Sequence, residues 1–488
     1  MSDEIRNLEP KLLWENFYKL TQMPRPSKKE LKAAEAIAEF GRSLGLETIQ
    51  DEVGNVIIRK PATPGMENRK GIILQGHIDM VPQKNSDKEH DFEKDPIETY
   101  IEDGWVTANG TTLGADNGIG VAAAMAILQS DDIEHGPLEV LVTIDEETGM
   151  TGANELKPGI LKGDILLNMD SEDEGELYVG CAGGTNANIR FSFKEYPFPS
   201  HHSAAYKLSI TGLKGGHSGL DINIGRANAN KLLFRFLKYA VANLGVRLSS
   251  IDGGSLRNAI PREAFAVLAV PEENKDDFIA AVKEYEEIYQ NEYSSTEPGL
   301  VMTAEEVGHP DFIMNEVVQD DLINAIEACP NGVIRMSADM EGLVETSTNL
   351  AIIKSDKEGV DVRCLIRSSV DSARDWVESM HESLFRLAGA EIWFDGRYPG
   401  WKPNLDSPIL KAMQDVYQKN WGKIPEIKGI HAGLECGILG NTYPNWDMIS
   451  FGPTIRYPHS PDEKVNIESV KKFWDFLVET LKNAPVKQ

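Results

Sequence analysis

Residues 71–83, GIILQGHIDMVPQ, begin as an apolar strand and end with a base and an acid two positions apart, His77 and Asp79. In an extended chain the side chains at i and i+2 leave on the same side, so both groups stand on one face near the strand's C-terminal end. Asp79 can there hold the His77 ring. An imidazole that ligates a metal usually donates its second N–H to a carboxylate, but a buried His–Asp pair without metal fits the same pattern. This stretch alone does not choose between them.

Outward from it, short apolar strands alternate with helical patterns. NVIIRK (55–60), GIILQGHI (71–78), LEVLVTI (138–144) and DILLNMD (164–170) read as strands, NGIGVAAAMAILQS (117–130) as a helix, and DEETGMTGANELKPG (145–159) as a loop. Residues 11–45 read as two amphipathic helices separated by PRPS, with Ser27 a candidate cap for the second. The alternation predicts an α/β sheet covered by helices. Near residue 185 the texture changes to prolines and polar residues. Between about 205 and 395 two blocks share an order of strands and helices, which predicts an inserted α+β domain with two similar halves. The tail from 403 resumes helices and a strand, DMISFGP, that need the first sheet to pack on. The expected division is 1–187, 205–395 and 396–488, the outer segments forming one domain.

The chain has 488 residues, 41% of them hydrophobic, enough for two or three domains with proper cores. Its 77 acidic residues against 49 basic ones give a net charge of −28, which repels phosphate backbones and anionic lipid and argues against both as partners. Cys181, Cys329, Cys364 and Cys436 are widely spaced, with no CxxC or Cys/His pairing in sequence, so a reduced, cytoplasmic protein is expected. The acidic N-terminal stretch does not resemble a signal peptide, and no apolar run reaches the roughly 18 residues of a membrane span.

Three more acidic clusters fall at equivalent places. Asp116 in TLGADNGIG precedes a helix, Glu146 and Glu147 follow LEVLVTI, and Asp170 follows DILLNM. Each alone is an ordinary cap or turn. In an open α/β sheet, however, ligands bind at the C-terminal ends of the strands, and consecutive strands here deliver His, Asp, Glu-Glu and Asp to that edge. Crowded carboxylates repel one another unless a cation is present. With one more imidazole the set suits zinc, manganese or cobalt, as two ions about 3.5–4 Å apart sharing a carboxylate.

The motifs GHIDMVP, GADNGIG, DEETGMTGA, NMDSED, GGHSGLDI, RNAIP and PHSPDE, in that order, resemble the co-catalytic zinc aminoacylase and carboxypeptidase G clan of metallopeptidases. Within it they are most similar to the aminoacyl-histidine dipeptidases, the bacterial carnosine-cleaving enzymes. The resemblance implies a mixed-sheet catalytic domain with an inserted lid of the dimerisation type, and two divalent ions per chain, zinc foremost with manganese or cobalt compatible. It implies His77 and Asp170 on one ion, Glu147 and His459 on the other, Asp116 as the bridge, and Asp79 orienting His77. Glu146 would be the general base toward a metal-bridged water. His217 would bind the carbonyl oxygen as charge develops, with Asn258, Arg367, His431 and Glu435 as substrate contacts. For His431 and Glu435 an internal hydrogen-bonded pair answers equally well.

The resulting expectation is a dipeptidase acting on unblocked dipeptides, Xaa-His and β-alanyl-histidine among them. A deacylase or aminopeptidase with the same centre, and a non-catalytic metal- or peptide-binding protein, are the alternatives. A homodimer through the insertion and a single chain whose doubled insertion replaces that contact both stay open, as does the chain from which His217 acts. The remaining histidines, His90, His135, His201, His202, His309 and His381, read as surface residues, and the acids of DSEDEGE beyond Asp170 as solvated.

Overall fold

The computed structural model describes residues 2–487, so the outermost residue at each end of the expected division lies outside the described residues. The chain forms two compact units. The first comprises residues 1–180, 403–429 and 434–488, and the second residues 181–402 and 430–433. The break at 187 expected from composition falls inside the strand Gly183–Ser192, which belongs to the second unit's sheet. A proline-rich texture there marks a strand end, not a domain boundary.

The first unit is built on an eight-stranded mixed sheet in the order Glu47–Gln50, Val56–Lys60, Leu138–Thr143, Ile72–His77, Ile165–Asn168, Asp447–Ser450, Glu176–Cys181, Glu426–Ile430. The four strands from Leu138–Thr143 to Asp447–Ser450 run parallel. Leu138–Thr143, Ile72–His77 and Ile165–Asn168 are buried at every position, as parallel strands covered on both faces must be. The tail strand Asp447–Ser450 pairs with Ile165–Asn168, so the C-terminal segment does complete the first sheet. Helix Ala115–Gln129 is apolar all round because it lies between the sheet and helix Lys11–Thr21. Gly120 permits this approach, since a Cβ there would stand 2.7 Å from the Met169 carbonyl oxygen. Ser27 does not cap the second helix, Leu31–Ser43; Glu30 occupies the cap position, and the Ser27 hydroxyl donates to Asp79 instead.

The second unit carries a nine-stranded sheet with a repeat nested inside a repeat. Its first half, Ser203–Thr211, helix Ala229–Leu244, Arg247–Gly253, Ala264–Pro271, helix Lys275–Glu292 and Val301–Val307, has strand order fourth, first, third, second. The other half shows the mirror order when Gly183–Ser192 is taken as its first strand. There follow helix Glu316–Ala328, Val344–Ser355, Gly359–Ser368, helix Asp371–Leu387 and Glu391–Tyr398. The halves join where Arg247–Gly253 pairs antiparallel with Val344–Ser355. Two similar halves are therefore present, but the first is inserted after the opening strand of the second. Alternate strand residues such as Ala204, Leu208, Ile210, Ile189 and Phe191 form one core with the four helices. Among the described residues no helix is long and apolar enough to cross a membrane.

Candidate metal centre

The three buried parallel strands end in His77, in Thr143 just before Glu146, and in Asn168 just before Asp170, so their loops deliver side chains to one edge. His77 is fully buried. Its Nδ1 faces Asp79, 3.3 Å from Oδ1, and its Nε2 lies 3.1 Å from Asp116 Oδ1 and 3.2 Å from Asp170 Oδ1. The second oxygen of Asp116 is turned the other way, 3.2 Å from His459 Nε2, which is itself 3.0 Å from Glu147 Oε2. Two donor sets, His77–Asp116–Asp170 and Asp116–Glu147–His459, thus share Asp116.

Asp79 does more than hold the imidazole. Its carboxylate accepts the backbone N–H of Glu146 at 3.0 Å, that of Glu147 at 3.3 Å, and the Ser27 hydroxyl at 2.8 Å. Those bonds fix the start of the short helix Glu146–Gly149; against burial, the His77 imidazole foremost, then the Glu146 N–H and the Ser27 hydroxyl, hold the Asp79 carboxyl below its usual range.

Buried residues outside the motif reading complete the frame. The Glu463 carboxylate accepts four successive N–H groups, from Leu113, Gly114, Ala115 and Asp116, at 2.8–3.2 Å. This cradle holds the loop that presents Asp116, where Gly114 adopts a left-handed φ of 70°. Arg25 donates to the carbonyls of Ile78 and Gly114 at 2.8 and 2.6 Å, tying the His77 loop to the Asp116 loop. Burial lowers its pKa to about 10, against the pull of Glu463 and Asp79. Glu30 accepts the N–H of Asp145 at 2.9 Å. The acid in PHSPDE was the available signal for Glu463; Arg25 and Glu30 carry none, because each acts through backbone groups distant in sequence.

The electrostatics show why such a cluster suits cations. Burial, with the charges of Asp116 and Glu435, raises Asp170 to about 8, and burial likewise raises Glu147. One oxygen of Glu147 is buried without a hydrogen-bond partner. Carboxylates this crowded remain ionised when positive charge sits among them, and the oxygen-rich set with two imidazoles fits hard to borderline divalent ions. Glu146, whose carboxyl burial pushes well above its ordinary range, belongs to neither of the two sets joined through Asp116.

Glu435 lies beneath this cluster. It is fully buried, and its Oε2 accepts from Gln75 at 2.6 Å and Thr143 at 2.9 Å. The acidic run after Asp170 is not a solvated face: burial raises Glu172 to about 8, Glu174 accepts from Tyr417 at 2.5 Å, and Asp173 pairs with Arg456.

In the second unit, His217 Nδ1 accepts the N–H groups of Gly219 and Leu220, both at 3.1 Å, so Nε2 carries the proton and is a donor. The pairing of Gly216–His217 with Ala259–Ile260 brings the GGHSGLDI and RNAIP motifs together, with Asn258 exposed beside them. Arg367 is buried, with Tyr398 and Ser218 as partners. His431, against Ser347 at 2.7 Å, is lowered to about 3 by burial and by the nearby Arg367 and His217. His431 and Glu435 fall in different units, each with hydrogen-bond partners of its own. His201, His202 and His309 are exposed as expected, whereas His135 and His381 are fully buried. Each of these two rings bonds a carbonyl of its own segment, which sequence polarity does not reveal.

Fold and donor set together define a metallohydrolase of the open α/β-sheet type. The chain belongs to peptidase family M20/M25/M40, whose model matches residues 73–483, and it is a peptide hydrolase. It is 48% identical over 484 residues to the cytosol non-specific dipeptidase of Escherichia coli (strain K12), covering 99% of this chain and 100% of that one. The crystal structure of aminoacylhistidine dipeptidase from Vibrio alginolyticus superimposes with a TM-score of 0.96 at 52% identity, covering 100% of both chains. An aminopeptidase from Bacillus cereus, at 15% identity and a TM-score of 0.57 over 98% of this chain and 99% of that one, shares the fold.

Proposed function

We propose that this chain is a dinuclear metallopeptidase that hydrolyses unblocked dipeptides in the cytosol, Xaa-His dipeptides and β-alanyl-histidine among them. The observation that carries the reading is the division of Asp116, one oxygen toward His77 and Asp170 and the other toward His459 and Glu147. The names of the Escherichia coli and Vibrio alginolyticus relatives support a dipeptide substrate, the second also a C-terminal histidine.

In this reading His77 and Asp170 would hold one divalent ion and Glu147 and His459 the other, with Asp116 serving both. When bound, the pair supplies a water of lowered pKa and polarises the scissile carbonyl. Asp79 faces His77 Nδ1 with its backbone carbonyl at 3.2 Å and its carboxylate at 3.3 Å, which would leave the Nε2 lone pair free for a cation. Glu146 takes the proton from the attacking water; as the carbon–nitrogen bond breaks it passes that proton to the leaving amine. By the family resemblance, His217, whose Nε2 carries a proton, would be the donor for the oxyanion and Arg367 the partner of the dipeptide's carboxylate, with Asn258 and His431 as further contacts. Glu435, tied to Gln75 and Thr143, supports the floor of the centre.

The test is a hydrolysis panel of β-Ala-His, Leu-His, Leu-Gly, a tripeptide and an N-acetyl amino acid, run before and after chelation and after re-adding Zn2+, Mn2+ or Co2+. Dipeptide turnover lost on chelation and restored by metal is expected. Preferential turnover of the N-acetyl amino acid or the tripeptide would transfer the centre to a deacylase or aminopeptidase. Bound metal without hydrolysis of any member would make the protein a binder.

A further inference from the structure

Three side chains that the hydrolytic centre does not use converge in the core of the second unit. Cys329 closes the C-terminal end of helix Glu316–Ala328, Cys364 stands within strand Gly359–Ser368, and His381 lies on helix Asp371–Leu387. Both sulfurs and an imidazole nitrogen lie within 4.8 Å of one another, at relative exposures of 2%, 0% and 0%. They are far apart in sequence and form no Cys/His motif, and His381 is not the surface residue its helical context suggested.

The local geometry leaves donor atoms facing one another. His381 Nδ1 lies 2.9 Å from the Val377 carbonyl one turn back on its helix, so Nδ1 carries the proton and Nε2 presents a lone pair. The Thr348 hydroxyl is 3.3 Å from Nε2. The Cys329 thiol has a weak outlet, the Pro330 carbonyl at 3.6 Å. Beside it the Lys231 ammonium, donating to the carbonyls of Ile326, Glu327 and Cys329 at 2.7–3.0 Å, places a positive charge that favours thiolate. The surroundings are otherwise core: Leu322, Ile326, Val362, Ile366, Val377 and Phe385 are buried in the same cluster.

We propose that Cys329, Cys364 and His381 bind a thiophilic metal ion of the Zn2+ or Cu+ class, with the Thr348 hydroxyl on the remaining side. Metal–sulfur bonds of about 2.3 Å and metal–nitrogen bonds of about 2.0 Å set donor spans of roughly 3.5–4 Å, compatible with three donor atoms that all lie within 4.8 Å of one another. The donors are soft, unlike the carboxylate-rich set at the sheet edge of the first unit, so the two sites select different metal classes. Binding displaces one proton from each thiol, and two thiolates with a divalent ion and a neutral imidazole sum to zero charge, which a dry core tolerates. The first half of the repeat closes its helices on the sheet with aromatic rings, Phe236 against Phe278 at 5.9 Å and Tyr206 against Phe278 at 5.4 Å. In the second half, where Phe191 against Phe385 at 6.1 Å supplies one such ring contact, the ion would add a tie from both helices to the strand between them.

The test uses the full chain produced in cobalt-supplemented medium and then treated with EDTA to strip the carboxylate-rich centre. A sulfur-to-cobalt charge-transfer band in the near ultraviolet, with one chelator-resistant metal ion per chain, is expected. Elemental analysis of protein from unsupplemented cells then distinguishes zinc from copper. Cys364→Ser should lose the band and the retained ion, which separates this site from Cys181 and Cys436. Should that variant fail to fold, X-ray absorption on the wild-type protein decides, with sulfur neighbours at about 2.3 Å expected. The proposal is overturned if the wild-type protein shows neither the band nor a retained ion, if Cys364→Ser keeps both, or if alkylation and mass spectrometry find a Cys329–Cys364 disulfide.

Discussion

The Asp79 carboxylate accepts the backbone N–H of Glu146 at 3.0 Å, so the group that orients His77 also fixes where the proposed general base begins its turn. Replacing it should disturb both functions together. Asp79→Ala is expected to weaken metal binding about 10–100-fold, as loss of a carboxylate behind a ligating imidazole does. Turnover at saturating metal should also fall. Metal titration followed by kinetics on the reloaded variant separates the two; normal kcat after reloading would limit Asp79 to holding the imidazole.

Glu146 stands outside the two donor sets joined by Asp116, although it also lies near His77 and Glu147, and its proposed role as base predicts a division of effects. Glu146→Ala should retain its metal and lose turnover by at least about 10²–10⁴-fold, the range for removal of a general base. Asp116→Ala should lose metal as well. A metal-replete, fully active Glu146→Ala enzyme would defeat the role.

Glu463 bears on stability and on metal at once. Glu463→Ala deprives four consecutive backbone N–H groups of their acceptor, and even with water entering the space a loss of roughly 2–4 kcal/mol is expected. Denaturant unfolding of the metal-free chain measures this without contribution from bound ions. Unchanged stability with unchanged metal content would show that the cradle is dispensable.

The metal-free centre should release protons when it fills. Hydrogen bonds to Asp116 and Glu147 raise His459 to about 11, and burial raises Asp170 to about 8, so near pH 7 both are protonated without metal. A cation needs both in the deprotonated form. Apparent affinity therefore falls as pH drops, and more than one proton per chain should leave on zinc binding at pH 7. Calorimetric titration in buffers of differing ionisation heat counts them; zero release would contradict the assignment.

Much of the proposed centre could be read from residue order because several of its groups sit at or just past the strand ends that an apolar run announces. His77, Asp79 and Asp170 are of this kind. Arg25 and Glu30 were not legible as supports, and Glu463 only as an acid of PHSPDE, since each serves backbone groups of segments that meet it in the folded chain alone. The same applies to Cys329, Cys364 and His381, each unremarkable in its own segment. The repeat was visible as an order of elements, but its nesting was not, because the displaced strand Gly183–Ser192 carries no mark of which half it serves.

That nesting sets a timetable for synthesis. Gly183–Ser192 emerges from the ribosome ahead of the entire first half, yet its two neighbours, Gly359–Ser368 and Glu391–Tyr398, are made only after that half is finished. A nascent chain must therefore carry an unpaired ten-residue strand while another module folds behind it. The polypeptide has a built-in waiting period, during which this edge is open to the wrong neighbour or to a chaperone.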